Sequence, residues 1–332
     1  MPSIVEDLQE PEAYPEEVSE VELIQTHISF VFITDKLVYK VKKPVNFGFL
    51  DFSTLEKRKY YCEQEIKLNS RLSPQYYLDV VPVVERDGRL KFWGEGELVD
   101  YAVKMKKLPM DRQMKYLLQK EELTDEMLDR VAQKIAAFHN EAETSLEIEK
   151  FGELSAIKYN TDENFEQTEK YIGKTISKEQ FETLKSYTDK FYEENEELIH
   201  SRMRDKRIRD CHGDLHMEHV LITDDDVVIF DCIEFNDRFR YSDIAADIAF
   251  LAMDLDYYGR SDLSHKLIEY YSTHSGDDKV KDMITFYKVY RAYVRGKVIS
   301  FKLDDPHISQ EEKDEAAGNA QKYFDLAHSY IR

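Results

Sequence analysis

The sequence predicts an α+β fold in two parts, a small sheet-rich part followed by a larger helical part. Short runs rich in β-branched and aromatic residues fill the first hundred residues, and segments with apolar residues at helical spacing follow Pro109. A chain of 332 residues is long enough for two such parts, each with a substantial core. We expect them at residues 1–108 and 109–332, with residues 1–20 as a loose acidic lead-in.

The N-terminal part is expected to contain six strands and one helix. The helix is predicted over Phe52–Leu72, because Ser53 and Glu56 have the spacing of a capping box and the apolar residues that follow lie near one face. The strands are predicted over Val21–Thr26, Ser29–Thr34, Leu37–Val41, Val80–Val84, Leu90–Trp93 and Leu98–Met105.

The C-terminal part is expected to be helical apart from one hairpin. Thr124 is the predicted N-cap of its first long helix, and Ser177 with Gln180 forms a second predicted capping box. Helices are predicted over Leu123–Glu141, within residues 164–200, and over Ser242–Tyr257, Asp262–Thr273 and Lys281–Lys302.

Charge and composition limit the partners and the compartment. The net charge of −21 argues against nucleic acid or an anionic membrane as a partner and favours a cationic small molecule. No apolar run approaches the roughly 18 residues of a membrane helix. The acidic segment Met1–Glu22 lacks a signal pattern, and three cysteines without CxxC spacing suit a reducing compartment. We expect a cytoplasmic protein.

Residues 210–235 have the layout of a phosphoryl-transfer site. Asp214 follows His212 by two residues and precedes a strand-like run at residues 220–222, an acidic turn and a second apolar run that ends at Asp231. Phosphoryl transfer to a hydroxyl needs one carboxylate that orients the nucleophile and another that holds magnesium against the nucleotide phosphates. We therefore predict Asp214, with His212, as catalytic and Asp231 as a metal ligand.

His219 departs from the pattern, which has asparagine five residues after the catalytic aspartate. An imidazole suits Mg²⁺ poorly. The sequence leaves three roles open for His219: a ligand of manganese or zinc, a hydrogen-bond donor to phosphate, or a purely structural replacement. We retain it as a candidate metal ligand.

The nucleotide phosphates require a lysine that is held by a glutamate. Lys40 is the predicted phosphate ligand, with Glu65 as its partner and Glu63 as the alternative. Lys42 is a second candidate because alternate strand residues share a face, although a surface position is expected for it. The loop before Ser29 has no glycine, so we expect the Ser29 hydroxyl and backbone N–H groups to contact phosphate there.

These residues resemble the aminoglycoside phosphotransferase and choline kinase-like family, whose signature stands here as His212-Gly213-Asp214-Leu215-His216. Within it the chain resembles a bacterial subgroup in which this region often precedes a separate P-loop kinase-like domain. We expect no such domain here, since the 332 residues contain no GxxxxGK[ST] motif. The resemblance extends over about residues 20–305 and includes the stretches Val38–Pro44, Phe47–Arg58, Ile229–Arg240 and Tyr290–Arg295.

The resemblance implies a protein-kinase-like bilobal fold, ATP or GTP as donor, Mg²⁺, and a small-molecule hydroxyl as acceptor. His219 leaves Mn²⁺ open as an alternative ion. It implies Asp214 as base, Asp231 as metal ligand and Lys40 as phosphate ligand. Two other functions remain open. A metal-dependent hydrolase would use the cluster His212, His216 and His219, and a nucleotide-binding regulatory protein with weak or no catalysis would explain His219 and the loop without glycine.

Overall fold

The computed structural model describes residues 3–332, which divide into two compact units. The sheet unit extends to Tyr116 and also contains His219–Asp237, and the helical unit contains Leu117–Glu218 and Arg238–Arg332. One unit is built on a sheet and the other on helices, so the predicted α+β class is confirmed. The predicted boundary between residues 108 and 109 stays a prediction.

The sheet unit is built on one antiparallel sheet of six strands in the order β1-β2-β3-β6-β4-β5. It also contains the hairpin β8–β9, which follows the predicted acidic-turn layout. A second two-stranded pair, β7–β10, lies in the helical unit. The strands are β1 Glu22–Gln25, β2 Ser29–Ile33, β3 Leu37–Lys42, β4 Tyr77–Arg86, β5 Arg89–Lys91, β6 Glu97–Lys106, β7 Ile208–Asp210, β8 Val220–Ile222, β9 Val227–Ile229 and β10 Tyr241–Asp243.

The two faces of the six-stranded sheet are covered by different segments. Along β3, Val38 belongs to an apolar cluster with Cys62 of the helix Leu55–Asn69, whereas Tyr39 and Val41 pack into a cluster on the other face. Because side chains alternate along a strand, Lys40 and Lys42 share the face of Val38 and therefore point towards that helix. The predicted helix is confirmed, but its N-cap is Thr54 rather than Ser53.

The expectation of a loose lead-in is wrong for the segment Ile4–Tyr14, while residues 1 and 2 lie outside the described residues. Leu8 is fully buried and Tyr14 is 4% exposed, both in the second apolar cluster of the sheet. The Tyr14 hydroxyl donates a 2.6 Å hydrogen bond to the carbonyl of Leu8. Burial of these apolar side chains outweighs the acidic composition that suggested a loose segment.

The helical unit follows the predicted helices closely, with Thr124 as N-cap of one helix and Ser177 and Gln180 in a capping box. The helices of the described chain are α1 Ile4–Asp7, α2 Leu55–Asn69, α3 Met114–Gln119, α4 Asp125–Glu141, α5 Leu146–Glu149, α6 Leu154–Thr168, α7 Lys178–Glu194, α8 Glu196–Arg204, α9 Asp237–Arg240, α10 Ile244–Tyr257, α11 Ser261–Ser275, α12 Val280–Ser300 and α13 Gln310–Ser329.

Helix α13 was not among the predicted helices. This helix begins at a capping box of Ser309 and Glu312 and buries Phe324 in the main core of the helical unit. A Cβ on Gly296 of α12 would lie 2.9 Å from the Phe324 ring, so this glycine lets the two helices approach. Among residues 3–332, no helix combines the length and the apolar character needed to cross a membrane.

Candidate active site

The signature loop, residues 211–218, is held in the helical unit by a carboxylate of α10. Asp247 accepts hydrogen bonds from the backbone N–H of His212 at 2.7 Å and of Gly213 at 2.9 Å. This contact supports the loop from a largely apolar helix. It also shows why a fully buried carboxylate is tolerated there, since its oxygens have donors.

The surroundings of Asp247 favour its charged form. Burial alone would raise the pKa of Asp247, but a 3.3 Å contact with His139 and the charges of His139, His212 and Arg291 outweigh it and lower the pKa to about 2. The carboxylate is therefore ionised at neutral pH, which strengthens its hydrogen bonds with the loop.

Asp254, two helical turns after Asp247, supports the other end of the loop. Its carboxylate accepts a 3.0 Å hydrogen bond from the backbone N–H of Met217. Burial raises the pKa of Asp254, with His216 and the Met217 N–H opposing the shift. Sequence reasoning missed this role, although two acids seven residues apart in an apolar helix are a signal for it.

Arg291 of α12 fixes the turn that precedes Asp214. Its guanidinium donates hydrogen bonds to the carbonyls of Gly213, at 2.9 Å, and of Ala246, at 3.2 Å. Gly213 has φ +89°, a conformation that costs a residue with a Cβ free energy. The turn leaves the Asp214 side chain 35% exposed, whereas its neighbours in the loop are mostly buried.

The two histidines of the signature are part of the loop's own structure. His212 is 1% exposed, and its Nδ1 accepts the backbone N–H of Asp214 at 3.3 Å. His216 is 4% exposed, its Nδ1 accepts the backbone N–H of Glu218 at 3.3 Å, and its Nε2 lies 3.5 Å from Asp214 Oδ2. These contacts position Asp214. The catalytic role of His212 stays a prediction.

In the sheet unit, Asp231 follows β9 in a left-handed conformation, with φ +63°. Its backbone N–H donates to the Tyr77 hydroxyl at 3.2 Å, and its carboxylate accepts a 2.8 Å hydrogen bond from Lys40 Nζ. Such a backbone conformation is uncommon outside glycine and is kept where the surroundings determine it. The carboxylate is 43% exposed, and an exposed carboxylate oxygen is the donor type that Mg²⁺ prefers.

Lys40 lies between Glu65, its predicted partner, and Asp231, the predicted metal ligand. Besides Asp231, its Nζ lies 2.9 Å from Glu65 Oε1, an oxygen to which no residue of the described chain makes a well-aligned hydrogen bond. Burial alone would lower the pKa of Lys40, but the charges of Asp231 and Glu65 hold it well above its ordinary value. Glu63, the alternative partner, instead pairs with Lys59 at 3.2 Å on the surface.

The expectation that Lys42 lies on the surface is wrong, because its side chain is only 1% exposed. Its Nζ donates to Glu65 Oε2 at 2.6 Å and to Glu234 Oε1, and it lies 4.8 Å from the centre of the Phe52 ring. Buried carboxylates on both sides make this burial of a lysine tolerable. Sequence reasoning missed Glu234, whose distance from Lys42 along the chain gives no signal.

His219 lies next to Asp231 in the sheet unit. Its Nε2 is 3.6 Å from Asp231 Oδ2, so the two candidate metal ligands are neighbours. The donor set of a carboxylate and an imidazole fits Mn²⁺ or Zn²⁺ better than a second Mg²⁺.

The Ser29 hydroxyl is fully buried and makes no hydrogen bond to any described residue, so contact with a phosphate would require the preceding loop to move.

Comparison with solved structures identifies the fold as protein-kinase-like, as predicted. A choline kinase from Cryptosporidium parvum matches with a TM-score of 0.56 and 14% identity, covering 97% of this chain and 94% of that chain. The GDP complex of an aminoglycoside 2′-phosphotransferase-IIIa matches with a TM-score of 0.54 and 14% identity, covering 94% of each chain. At these identities the likeness shows the fold alone.

Sequence comparison gives the family. Residues 62–282 match the model of the phosphotransferase enzyme family, and this chain belongs to that family. Uncharacterised proteins of Mycobacterium tuberculosis and Mycobacterium bovis are each 30% identical to it over 312 residues, which are 94% of this chain and 60% of theirs. The chain thus spans about 60% of the length of these relatives. The resemblance stated from the signature residues is confirmed.

Proposed function

We propose that this chain is a nucleotide-dependent phosphotransferase that acts on a hydroxyl group of a small molecule. The observation that carries the proposal is the position of Lys40, whose Nζ lies 2.9 Å from Glu65 and 2.8 Å from Asp231. A lysine held by a helix glutamate and next to a metal-binding carboxylate is the arrangement that phosphoryl transfer uses to bind nucleotide phosphates. Membership of the phosphotransferase enzyme family supports the same reaction.

The sheet unit supplies the residues assigned to the nucleotide. Lys40 is the phosphate ligand, because its side chain is 16% exposed whereas that of Lys42 is 1% exposed. Asp231 is assigned to hold Mg²⁺, an ion that neutralises phosphate charge when bound. His219, as its neighbour, is the residue through which Mn²⁺ would be favoured over a second Mg²⁺.

The helical unit supplies the base. As the acceptor oxygen bonds to the γ-phosphorus and the bond to the leaving nucleoside diphosphate breaks, the hydroxyl proton passes to a carboxylate oxygen of Asp214. Asp247 and Arg291 hold the loop, so Asp214 is positioned before the acceptor binds. His212 contributes through its hydrogen bond with the Asp214 backbone.

The donor and the acceptor are proposed as classes. ATP and GTP are both candidates, and the solved GDP complex of an aminoglycoside phosphotransferase with this fold supports a nucleotide. The net charge of −21 favours a cationic acceptor, and the choline kinase and aminoglycoside phosphotransferase with the same fold support a small molecule.

A nucleotide-binding protein with weak catalysis is the second candidate function. It is favoured by His219, which stands where the family pattern has asparagine and lies next to Asp231. The hydrolase hypothesis would use ring nitrogens of His212, His216 and His219 as metal ligands, whereas Nδ1 of His212 and of His216 each accepts a backbone N–H.

A screen of nucleotide consumption separates the first two functions. Purified protein would be incubated with ATP or GTP, with Mg²⁺ or Mn²⁺, and with a panel of choline-like amines, aminoglycosides, sugars and nucleosides. Acceptor-dependent release of diphosphate nucleotide supports the phosphotransferase. Nucleotide binding without turnover across the panel favours the regulatory protein, and stoichiometric zinc in protein purified without nucleotide favours the hydrolase.

A further inference from the structure

The proposed function leaves Lys42 without a role, although it is one of the most deeply buried charged residues of the sheet unit. Its Nζ contacts two carboxylates, Glu65 and Glu234, and the ring of Phe52. Burial alone would lower the pKa of Lys42, but Glu234 and Glu65 outweigh it and raise the pKa above its ordinary value. Lys42 is therefore a fixed cation inside the unit.

The contacts of the two lysines form a chain from Asp231 to Glu234, which the backbone of residues 231–234 closes into a ring. Lys40 connects Asp231 to Glu65, and Lys42 connects Glu65 to Glu234. Asp231 and Glu234 are three residues apart on one segment, so β3, α2 and residues 231–234 are joined through five charged side chains. Glu65 is the shared centre, with Oε1 towards Lys40 and Oε2 towards Lys42.

The segment 231–234 has further attachments that make its position specific. The backbone N–H of Cys232 donates to Asn69 Oδ1 at 2.8 Å, and Arg71 Nη2 lies 3.3 Å from Cys232 Sγ. Asp231 has its left-handed backbone and its bond to the Tyr77 hydroxyl. Asp231 is at the N-terminal end of this segment, and the Lys42–Glu234 ion pair holds its C-terminal end.

Lys40 and Lys42 differ in what a nucleotide would do to them. Under the proposed function, Lys40 exchanges part of its contact with Asp231 for phosphate, while Lys42, at 1% exposure, has no route to a ligand. If Lys42 were absent, the whole charge of Glu65 would act on Lys40 and hold it more strongly. The lysine would then be less available to phosphate.

We propose that Lys42, paired with Glu234, is a positioning residue that neutralises part of the Glu65 charge and fixes residues 231–234, so that Lys40 and Asp231 bind nucleotide and metal. This inference rests on the proposed function. It gives Lys42 an effect on the affinity for nucleotide and metal and no part in the chemical step, because Lys42 touches no substrate.

Charge arithmetic allows stability and binding to be tested separately. The ring carries two lysines and three carboxylates. Lys42→Met leaves an unpaired buried Glu234 and is expected to lower the melting temperature strongly. Lys42→Met combined with Glu234→Gln removes one charge of each sign, so it is expected to melt close to the wild type. Lys43→Met is the matched control, since Lys43 is the next residue, and its Nζ donates to the Thr26 carbonyl and lies 4.6 Å from the centre of the Phe30 ring.

The experiment measures melting temperature and, by calorimetric titration at about pH 8, the affinity for ATP and for GTP with Mg²⁺ or Mn²⁺. The double variant is expected to keep its melting temperature but to bind nucleotide about tenfold more weakly, a loss typical of one charged contact. In an active preparation the KM for nucleotide should rise more than kcat falls. Lys43→Met should match the wild type in each measurement.

The outcomes distinguish this inference from the function on which it rests. A stable double variant that binds nucleotide as tightly as the wild type overturns the positioning role and leaves the proposed function intact. An equal loss in Lys43→Met also overturns it, because the effect would then belong to any cation near this strand end. Absence of nucleotide binding in the wild type with either ion overturns both.

Discussion

Lys40 Nζ donates a 2.8 Å hydrogen bond to Asp231 Oδ1, a contact between residues 191 positions apart in the sequence. A charged lysine thereby neutralises the carboxylate that is proposed to hold the metal. Nucleotide and metal together can replace this contact, since phosphate takes the lysine and the ion takes the carboxylate. We therefore expect nucleotide and metal to bind with positive coupling.

Lys40→Met tests the phosphate assignment. The variant loses the cation proposed to face the phosphates, and we expect its dissociation constant for ATP or GTP to rise by about tenfold or more. Titration calorimetry of the wild type and the variant measures this. Lys43→Met, directly after the end of the same strand, is the control. Equal affinities in Lys40→Met and the wild type would remove Lys40 from the nucleotide site.

Asp247→Asn tests the support of the signature loop. The carboxylate accepts two backbone N–H groups, whereas an amide offers one oxygen and would direct an N–H₂ group at a donor. We expect a loss of about 2–3 kcal/mol in the free energy of unfolding, measured by urea denaturation. Asp278→Asn, at an exposed position before α12, should be close to the wild type. An Asp247→Asn variant as stable as the wild type would show that the loop does not depend on this carboxylate.

Acid titration should separate Asp247 from Asp254. The pKa of Asp247 is lowered from 3.8 to about 2, so its stabilisation is present above about pH 4 and is lost as the pH falls to about 2; the loss amounts to about 2 kcal/mol. The pKa of Asp254 is raised, so its contribution has the opposite sign and is lost as the pH rises above 3.8.

Denaturation of Asp247→Asn and Asp254→Asn between pH 2.5 and about 6 measures both contributions. The stability difference between wild type and Asp247→Asn should shrink towards low pH, whereas the difference for Asp254→Asn should not. Parallel pH curves for the wild type and Asp247→Asn would contradict the ionised state of this carboxylate in the folded protein.

His219→Asn tests what the departure from the family pattern costs. An amide oxygen is a harder ligand than imidazole, so the variant should gain activity with Mg²⁺ relative to Mn²⁺. The measured quantity is the ratio of kcat/KM with Mg²⁺ to kcat/KM with Mn²⁺. His200→Asn, exposed on α8, is the control. An unchanged ratio would mean that His219 does not influence the metal.

Much of the fold could be predicted from the sequence, because the signals for strands and for helix ends lie within short segments. β-branched runs predicted the strands, and capping residues predicted where helices such as α4 and α7 begin. The errors arose where distant contacts decide. Leu8 and Tyr14 lie in an acidic segment, yet their burial against the sheet gives it a fixed structure. Charged residues are frequent in α13, so its buried side does not stand out in the sequence as an apolar helical pattern.

Residues of the candidate site that belong to a sequence motif could be predicted from the sequence. Strand alternation placed Lys40 and Lys42 on one face, and Glu65 of the neighbouring helix was the predicted partner of Lys40. Alternation does not reveal that Lys42 is buried, because this depends on Glu234, which is 192 positions away. The roles of Asp214, Asp231, Lys40 and His219 in a reaction stay predictions.

Asp214→Asn tests the account most directly, because it removes the proposed base while leaving the loop contacts of Asp247 and Arg291 in place. The decisive measurement combines acceptor-dependent turnover with nucleotide affinity in the wild type and this variant. We predict a fall in kcat of about 10²–10⁴-fold with an unchanged dissociation constant for nucleotide. Turnover equal to that of the wild type would contradict the proposed mechanism.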